Sequence, residues 1–138
     1  MPVFVYKKTV EFADTDMGGI VHFSCFFRYM EEAEHHFLRS IGLSVMMQLS
    51  GKKVGFPRVS AHCDYFKPAR FTDELLISVQ IEKIGASSIT YALEIKRGMD
   101  RLAAGKVVTV LCEMQENSPP KSIPIPQDIR NLLENGVV

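Results

Sequence analysis

From Phe23 onward the apolar residues stop alternating and recur every three or four positions: Phe23, Phe26, Phe27, Met30, Ala33, Phe37 and Ile41. Arg28, Glu32, His35 and Arg39 fill the other face. That period predicts an amphipathic helix of about five turns. Ser24 is a candidate cap, and Gly42 marks the end. Residues 3–12 before it alternate, with Phe4, Tyr6, Val10 and Phe12 against Lys7, Thr9 and Glu11, and read as a strand. After the helix a short second helix is expected over 44–49. Four alternating runs then follow, over 58–66, 75–81, 89–95 and 102–114, separated by Pro68, Thr72, Gly85 and Gly98. Short connections imply antiparallel neighbours. The chain ends in a proline-containing stretch and a short amphipathic segment over 127–133. One long helix with a bulky aromatic stripe needs a surface to cover it, and a twisted antiparallel sheet of five strands can wrap it. Such a sheet keeps apolar residues on its outer face, so self-association through a face or edge is expected.

At 138 residues the chain is expected to form one domain, with a core over about 3–114 and a tail over 115–138. Sixteen basic and sixteen acidic residues cancel, which gives no field favouring nucleic acid. Three widely spaced cysteines, Cys25, Cys63 and Cys112, form no CxxC pair and point to free thiols in a reducing compartment. No signal-peptide core and no stretch near the ~20 apolar residues of a membrane span are visible, so a cytoplasmic protein without a membrane partner is expected.

The connector Asp14-Thr15-Asp16-Met17-Gly18-Gly19 leads directly into the helix. It places two carboxylates near a helix start, where unpaired N–H groups and a partial positive charge can stabilise an oxyanion. Asp14 is read as a turn cap. Asp16 is read either as a second cap or as a catalytic acid. Gly18 and Gly19 form an ordinary turn, or they let backbone approach a ligand. His22 is a candidate general acid or a hydrogen-bonded structural residue. Glu31 and Glu32 suit surface or helix-to-sheet bonds, with Glu31 a minor alternative base. His35, His36 and His62 do not suggest a metal site, because adjacent helix positions point about 100° apart. Lys67, Arg70, Arg97 and Arg101 are the cations available for phosphates. Ser87 and Ser88 can hold a phosphate or an amide, or simply begin a strand.

Residues 12–23, with Phe26, Glu31-Glu32-Ala33 and Leu38-Arg39 behind them, resemble the start of the hotdog-fold acyl-CoA thioesterases, and the 4-hydroxybenzoyl-CoA thioesterase-like group in particular. Residues 57–69 and Phe71-Thr72-Asp73-Glu74-Leu75 resemble later strands of that family. The resemblance runs from Val3 to about Met114. It implies an α+β hotdog fold, a five-stranded antiparallel sheet wrapped around one long central helix. It also implies hydrolysis of an acyl-CoA thioester, or of an acyl carrier protein thioester, to the free acid. In the matching positions Asp16 is the nucleophile or general base and the Phe23 backbone N–H is the oxyanion donor, with His22 beside them. Expected substrate contacts are Gly18, Gly19, Ser60, His62, Lys67, Arg70 and Ser88. No metal or organic cofactor is implied, coenzyme A being part of the substrate. The resemblance further implies a homodimer or homotetramer with sites between subunits. The chain departs from the family at His22, where Tyr or Trp is frequent, and at Cys25, where Asn or Ser is. Two other functions fit a hotdog chain: a hydratase or dehydratase acting on acyl thioesters, and a non-catalytic acyl-CoA-binding module.

Overall fold

The computed structural model describes residues 1–136. Strand β1 (Val3–Thr9) leads through a 3-10 turn (Phe12–Asp14) to helix α1 (Phe23–Ser40). Then come β2 (Met46–Leu49), β3 (Lys52–Gly55), β4 (Arg58–Tyr65), β5 (Glu74–Ile84), β6 (Ser88–Arg97) and β7 (Asp100–Val110). Strands β8 (Cys112–Gln115) and β9 (Ser118–Ser122) precede helix α2 (Gln127–Asn135). Five strands form one antiparallel sheet in the order β1-β5-β6-β7-β4. The alternation in β5 and β6 buries Leu75, Ile77, Val79 and Ile81, and Ile89, Tyr91, Leu93 and Ile95. These join Phe26, Met30, Ala33 and Phe37 of α1 in one core. Gly105 on β7 permits the close approach of helix to sheet. A Cβ there would stand 2.5 Å from Met30 Sδ and 3.1 Å from the His62 carbonyl oxygen.

The α+β arrangement of an antiparallel sheet and a long helix is the expected one, but the chain holds more than that. The strands β2, β3, β8 and β9 form a second sheet. Residues expected to make a short helix before Gly51 instead make β2. Ser50 and Gly51 both take positive φ, 50° and 78°, and close a two-residue hairpin between Leu49 and Lys52. A six-residue helix has too few hydrogen bonds to compete with that hairpin. The expected strand over 102–114 is two strands. The chain turns at buried Leu111, whose N–H donates to the Ser87 carbonyl, and the next residues pair with β3 in the other sheet. Apolar alternation continues across the bend and so conceals it. Residues 10–12 leave the first strand, with the Val10 N–H donating to the Asp73 carbonyl. In the last segment, Ile125, Ile129 and Leu133 are buried in the core.

Glu34 on α1 is almost wholly buried, and Arg58 donates to its Oε1 at 2.5 Å. Its Oε2, with Tyr91 OH and Thr109 Oγ1, has no hydrogen-bond partner among the described residues. Burial pushes the Glu34 carboxyl up to about 7, with Arg58 opposing and Glu31 adding to the rise. The folded chain therefore holds this proton more tightly than the unfolded one. The resulting stabilisation is full below the ordinary Glu range and is lost as pH rises to about 7, at most about 3 kcal/mol in all. Glu34→Gln should remove that slope. In urea denaturation the stability of the variant relative to the parent should rise between pH 5 and pH 8, and a constant difference would contradict this.

Candidate active site

Residues 14–22 close into a small hairpin against the start of α1. The His22 N–H donates to the Asp14 carbonyl at 2.9 Å, Thr15 pairs with Val21, and the Asp16 N–H donates to the Ile20 carbonyl at 2.9 Å. At the tip the Gly19 N–H returns to the Asp16 carbonyl at 3.0 Å. Gly19 has φ +77°, a conformation that favours glycine. The hairpin is stitched to the loop between β4 and β5 by the Val21 N–H, which donates to the Ala69 carbonyl at 2.8 Å.

Two acids two residues apart meet different surroundings. Asp14 is 5 % exposed. Its carboxylate accepts from the Glu11 N–H at 3.2 Å, from Tyr29 OH at 2.7 Å and from Arg28. Burial disfavours the charged form. The bonds from Tyr29 and Glu11 and the Arg28 charge outweigh it and hold this carboxyl below the usual range. Arg28 also pairs with Glu32, which accepts from Tyr6 OH at 2.8 Å and pairs with Lys8 on β1. Asp14 thus caps the turn as expected and is tied to α1 as well. The buried acid beside the helix start is this one. Asp16 is exposed, and one of its oxygens, Oδ1, accepts from the Gly18 N–H at 2.8 Å. Among the described residues Oδ2 has no hydrogen-bond partner.

The helix start is capped by His22, not by Ser24. The ring Nδ1 accepts from the Ser24 N–H at 3.3 Å and lies 2.8 Å from the Ser24 hydroxyl. The imidazole competes well here because His22 has the extended backbone of an N-cap, whereas Ser24 is already helical. The Cys25 N–H donates to the His22 carbonyl at 2.9 Å. Three of the four N–H groups over 22–25 are therefore engaged. The fourth, that of Phe23, has no partner among the described residues.

Asp16 and Phe23 line one cavity of about 450 Å³, together with Ile20, Val21, Phe26, Tyr65, Phe66, Lys67 and Pro68. That volume suits a small organic group. Tyr65, at the end of β4, donates its OH to the Phe23 carbonyl at 2.9 Å and meets Phe26 edge-on at 5.2 Å. Burial, and then Cys63 nearby, pushes the Tyr65 hydroxyl up to about 12, so it remains a donor at neutral pH. Phe23 itself is 63 % exposed and departs from the core role of Phe26 and Phe37.

Among the residues expected at the site, Asp16, Phe23 and Lys67 line this cavity, and Gly18 and Gly19 form the tip of the hairpin beside it. The His22 ring faces Ser24 and does not line it. Ser60 and His62 lie exposed on β4 away from it, with His62 Nε2 3.2 Å from Asp64. Ser88 pairs with Val110, whereas Tyr65 pairs with Ala103. At about 3.3 Å per residue Ser88 stands about 20 Å along the sheet from the cavity. Lys67 is paired with Asp100, Arg97 with Asp73 and Asp100, and Arg101 with Glu94. The Arg70 guanidinium reaches the Gly19 turn and makes no ion pair among the described residues. Sequence reasoning missed Tyr65, Phe66 and Pro68 as cavity walls. Their only signal is an aromatic pair before a proline at a strand end. No group of three or more metal-ligating side chains, from His35, His36 and His62 or elsewhere, occurs among the described residues. No helix of the described residues is long and apolar enough to cross a membrane.

A family model described as the Thioesterase-like superfamily matches residues 10–133. A 1,4-dihydroxy-2-naphthoyl-CoA hydrolase from Synechocystis is 32% identical over 129 residues, covering 92% of this chain and 91% of the relative. The crystal structure of a 1,4-dihydroxy-2-naphthoyl-CoA thioesterase from Synechocystis superposes with a TM-score of 0.85 at 29% identity, over 98% of both chains. A gentisyl-coenzyme A thioesterase superposes with a TM-score of 0.83 at 31% identity, over 94% of this chain and 99% of the other. With its hairpin, helix start and sheet matched along almost their whole length, the chain belongs to the thioesterase-like superfamily of hotdog-type proteins.

Proposed function

We propose that this protein hydrolyses an acyl-CoA thioester to the free acid and coenzyme A, with Asp16 as nucleophile or general base. The observation that carries the reading is the shared cavity. Asp16, with one oxygen free, and Phe23, whose backbone N–H has no partner among the described residues, line the same apolar space. In the nucleophilic route Asp16 Oδ2 attacks the thioester carbon, and the oxyanion accepts from the Phe23 N–H. Collapse then breaks the C–S bond, releases the thiolate and leaves a mixed anhydride that water opens. In the general-base route Asp16 takes a proton from water, which attacks in its place. Either route draws on protein groups and water alone. His22 serves as the helix cap, and Tyr65 ties the first residue of α1 to the end of β4.

The relatives named above act on aromatic acyl-CoA compounds. With the rings of Phe23, Phe26, Tyr65 and Phe66 around the cavity, this supports an aromatic acyl group here. Arg70, beside the Gly19 turn, is the cation we assign to the coenzyme A side. Acyl carrier protein thioesters are the alternative carrier. We take the protein to be a cytoplasmic homo-oligomer with sites between subunits. Exposed Phe12 and Phe71 and the outer edge of β4, unpaired among the described residues, support the self-association.

A panel of aryl and alkyl acyl-CoA thioesters, assayed for free thiol, tests the reading. A hydratase or a binding module would release none. Asp16→Asn should lower kcat by about 10²–10⁴-fold and leave thermal unfolding unchanged. Full turnover by that variant would end the assignment. Gly18→Ala tests the hairpin tip. A Cβ there would stand 3.1 Å from Asp16 Oδ1, so the carboxylate must shift by a few tenths of an ångström. Turnover should fall several-fold, short of the roughly 100-fold of a 1 Å misplacement. An unchanged kcat in this variant would mean that the carboxylate need not be held there.

A further inference from the structure

We infer that Asp14 is a positioning residue for the reaction: its buried carboxylate, held by Arg28 and Tyr29, locks the hairpin that presents Asp16 and selects the Phe23 N–H as the open donor. The inference rests on the proposed reading of Asp16 and Phe23 as the reacting groups.

Asp14 is joined to the site through two different groups. Its carbonyl accepts the His22 N–H at 2.9 Å and closes the base of the hairpin. The same bond removes His22 from the set of open donors at the helix start, and the His22 ring and carbonyl then engage Ser24 and Cys25. Only the Phe23 N–H is left, one residue from the closure. The carboxylate holds this base in place. Tyr29 OH lies 2.7 Å from Oδ2, and Arg28 engages Oδ1. Both donors sit on α1 within the two turns that follow the site, so the hairpin is referenced to the helix whose end it caps. Asp16 lies two residues beyond this anchor, across the Thr15–Val21 pair.

A turn cap alone needs only the Glu11 N–H, which lies 3.2 Å from Oδ2. The additional donors are what a cap does not require. Tyr29 is fully buried, and its OH reaches no acceptor other than Asp14 among the described residues. Arg28 lies over the Tyr29 ring, its guanidinium carbon 5.3 Å from the centroid, and continues to Glu32 and hence to Lys8 and Tyr6 on β1. The hairpin base is therefore linked through side chains to both the helix and the sheet. Bonds to a charged carboxylate are short and directional, so this link sets an angle as well as a contact. Reacting groups must meet within a few tenths of an ångström for full rate, and an anchor two residues away controls that scale.

The experiment compares Asp14→Asn and Tyr29→Phe in the parent and in the Asp16→Asn background, with benzoyl-CoA as probe and kcat and KM measured separately. In the parent, Asp14→Asn should lower kcat at least tenfold and Tyr29→Phe three- to tenfold, with KM within twofold. In the Asp16→Asn background each loss should be at least threefold smaller, because Asp16, one of the two groups being positioned, is gone and only the Phe23 donor remains. Equal losses in both backgrounds, a change in KM alone, or parental kcat in both variants would overturn the inference while leaving the Asp16 assignment standing. If Asp16→Asn turns over like the parent, the proposed reading fails first and this inference with it. Tyr29→Phe keeps the packed ring and removes one hydroxyl, so it decides the matter should Asp14→Asn not fold.

Discussion

Helix α1 lies with its apolar face on the five-stranded sheet, and every feature of the candidate site is measured from where that helix begins. Phe26, Met30, Ala33 and Phe37 meet the inward residues of β5, β6 and β7, and bare Gly105 lets the helix settle close. Because the helix cannot slide on a packed core, its first turn has a fixed place and direction. Around that turn the chain arranges the rest. The hairpin over 14–22 folds against it, β4 reaches it through Tyr65, and the loop after β4 is bonded to the hairpin at Ala69.

The electrostatics of this corner separate two neighbouring carboxylates. Burying one is expensive, of order several kcal/mol, unless charged and neutral donors replace the lost water. Asp14 receives them from Tyr29, Glu11 and Arg28, stays ionised and is structurally committed. Asp16 gives one oxygen to the Gly18 N–H, and its other oxygen has no hydrogen-bond partner among the described residues. The helix start behaves in the same way: most of its N–H groups are engaged, and that of Phe23 has no partner among the described residues. Lys67, which lines the cavity, and Arg97 and Arg101 are paired with acids. Half-exposed pairs of that kind contribute little, about 0–1 kcal/mol. Arg70 makes no ion pair among the described residues.

Local patterns were the legible part. The three-and-four spacing from Phe23 marks α1 and its buried face, and alternation marks β5 and β6 with their inward faces. The Asp14–Gly19 segment reads as a turn with two candidate caps leading into the helix, and its closure into a hairpin is not legible in it. Non-local pairings were not legible. Strand β4 pairs with β7 rather than with its neighbour β5, and Tyr65 and Phe66 reach the site from more than forty residues after it. The Ser50–Gly51 hairpin defeated a helix pattern because two positive φ values favour a turn over a short helix. Ser24 lost the cap to His22, because hydroxyl and imidazole are both competent caps and backbone geometry chose between them. That Asp14 rather than Asp16 is buried depends on Arg28 and Tyr29, fourteen and fifteen residues on, whose helical spacing says nothing about which acid they meet.

The central claim is that the Phe23 N–H receives the charge developing on a substrate carbonyl. The most direct measurement is the amide spectrum of the protein titrated with a coenzyme A analogue in which a methylene replaces the sulfur and the acyl carbonyl is retained. If the claim holds, the Phe23 amide proton moves well downfield as the analogue binds, more than those of Ile20 and Val21 in the same wall. A Phe23 signal that stays in place while those neighbours shift would mean that the carbonyl sits elsewhere.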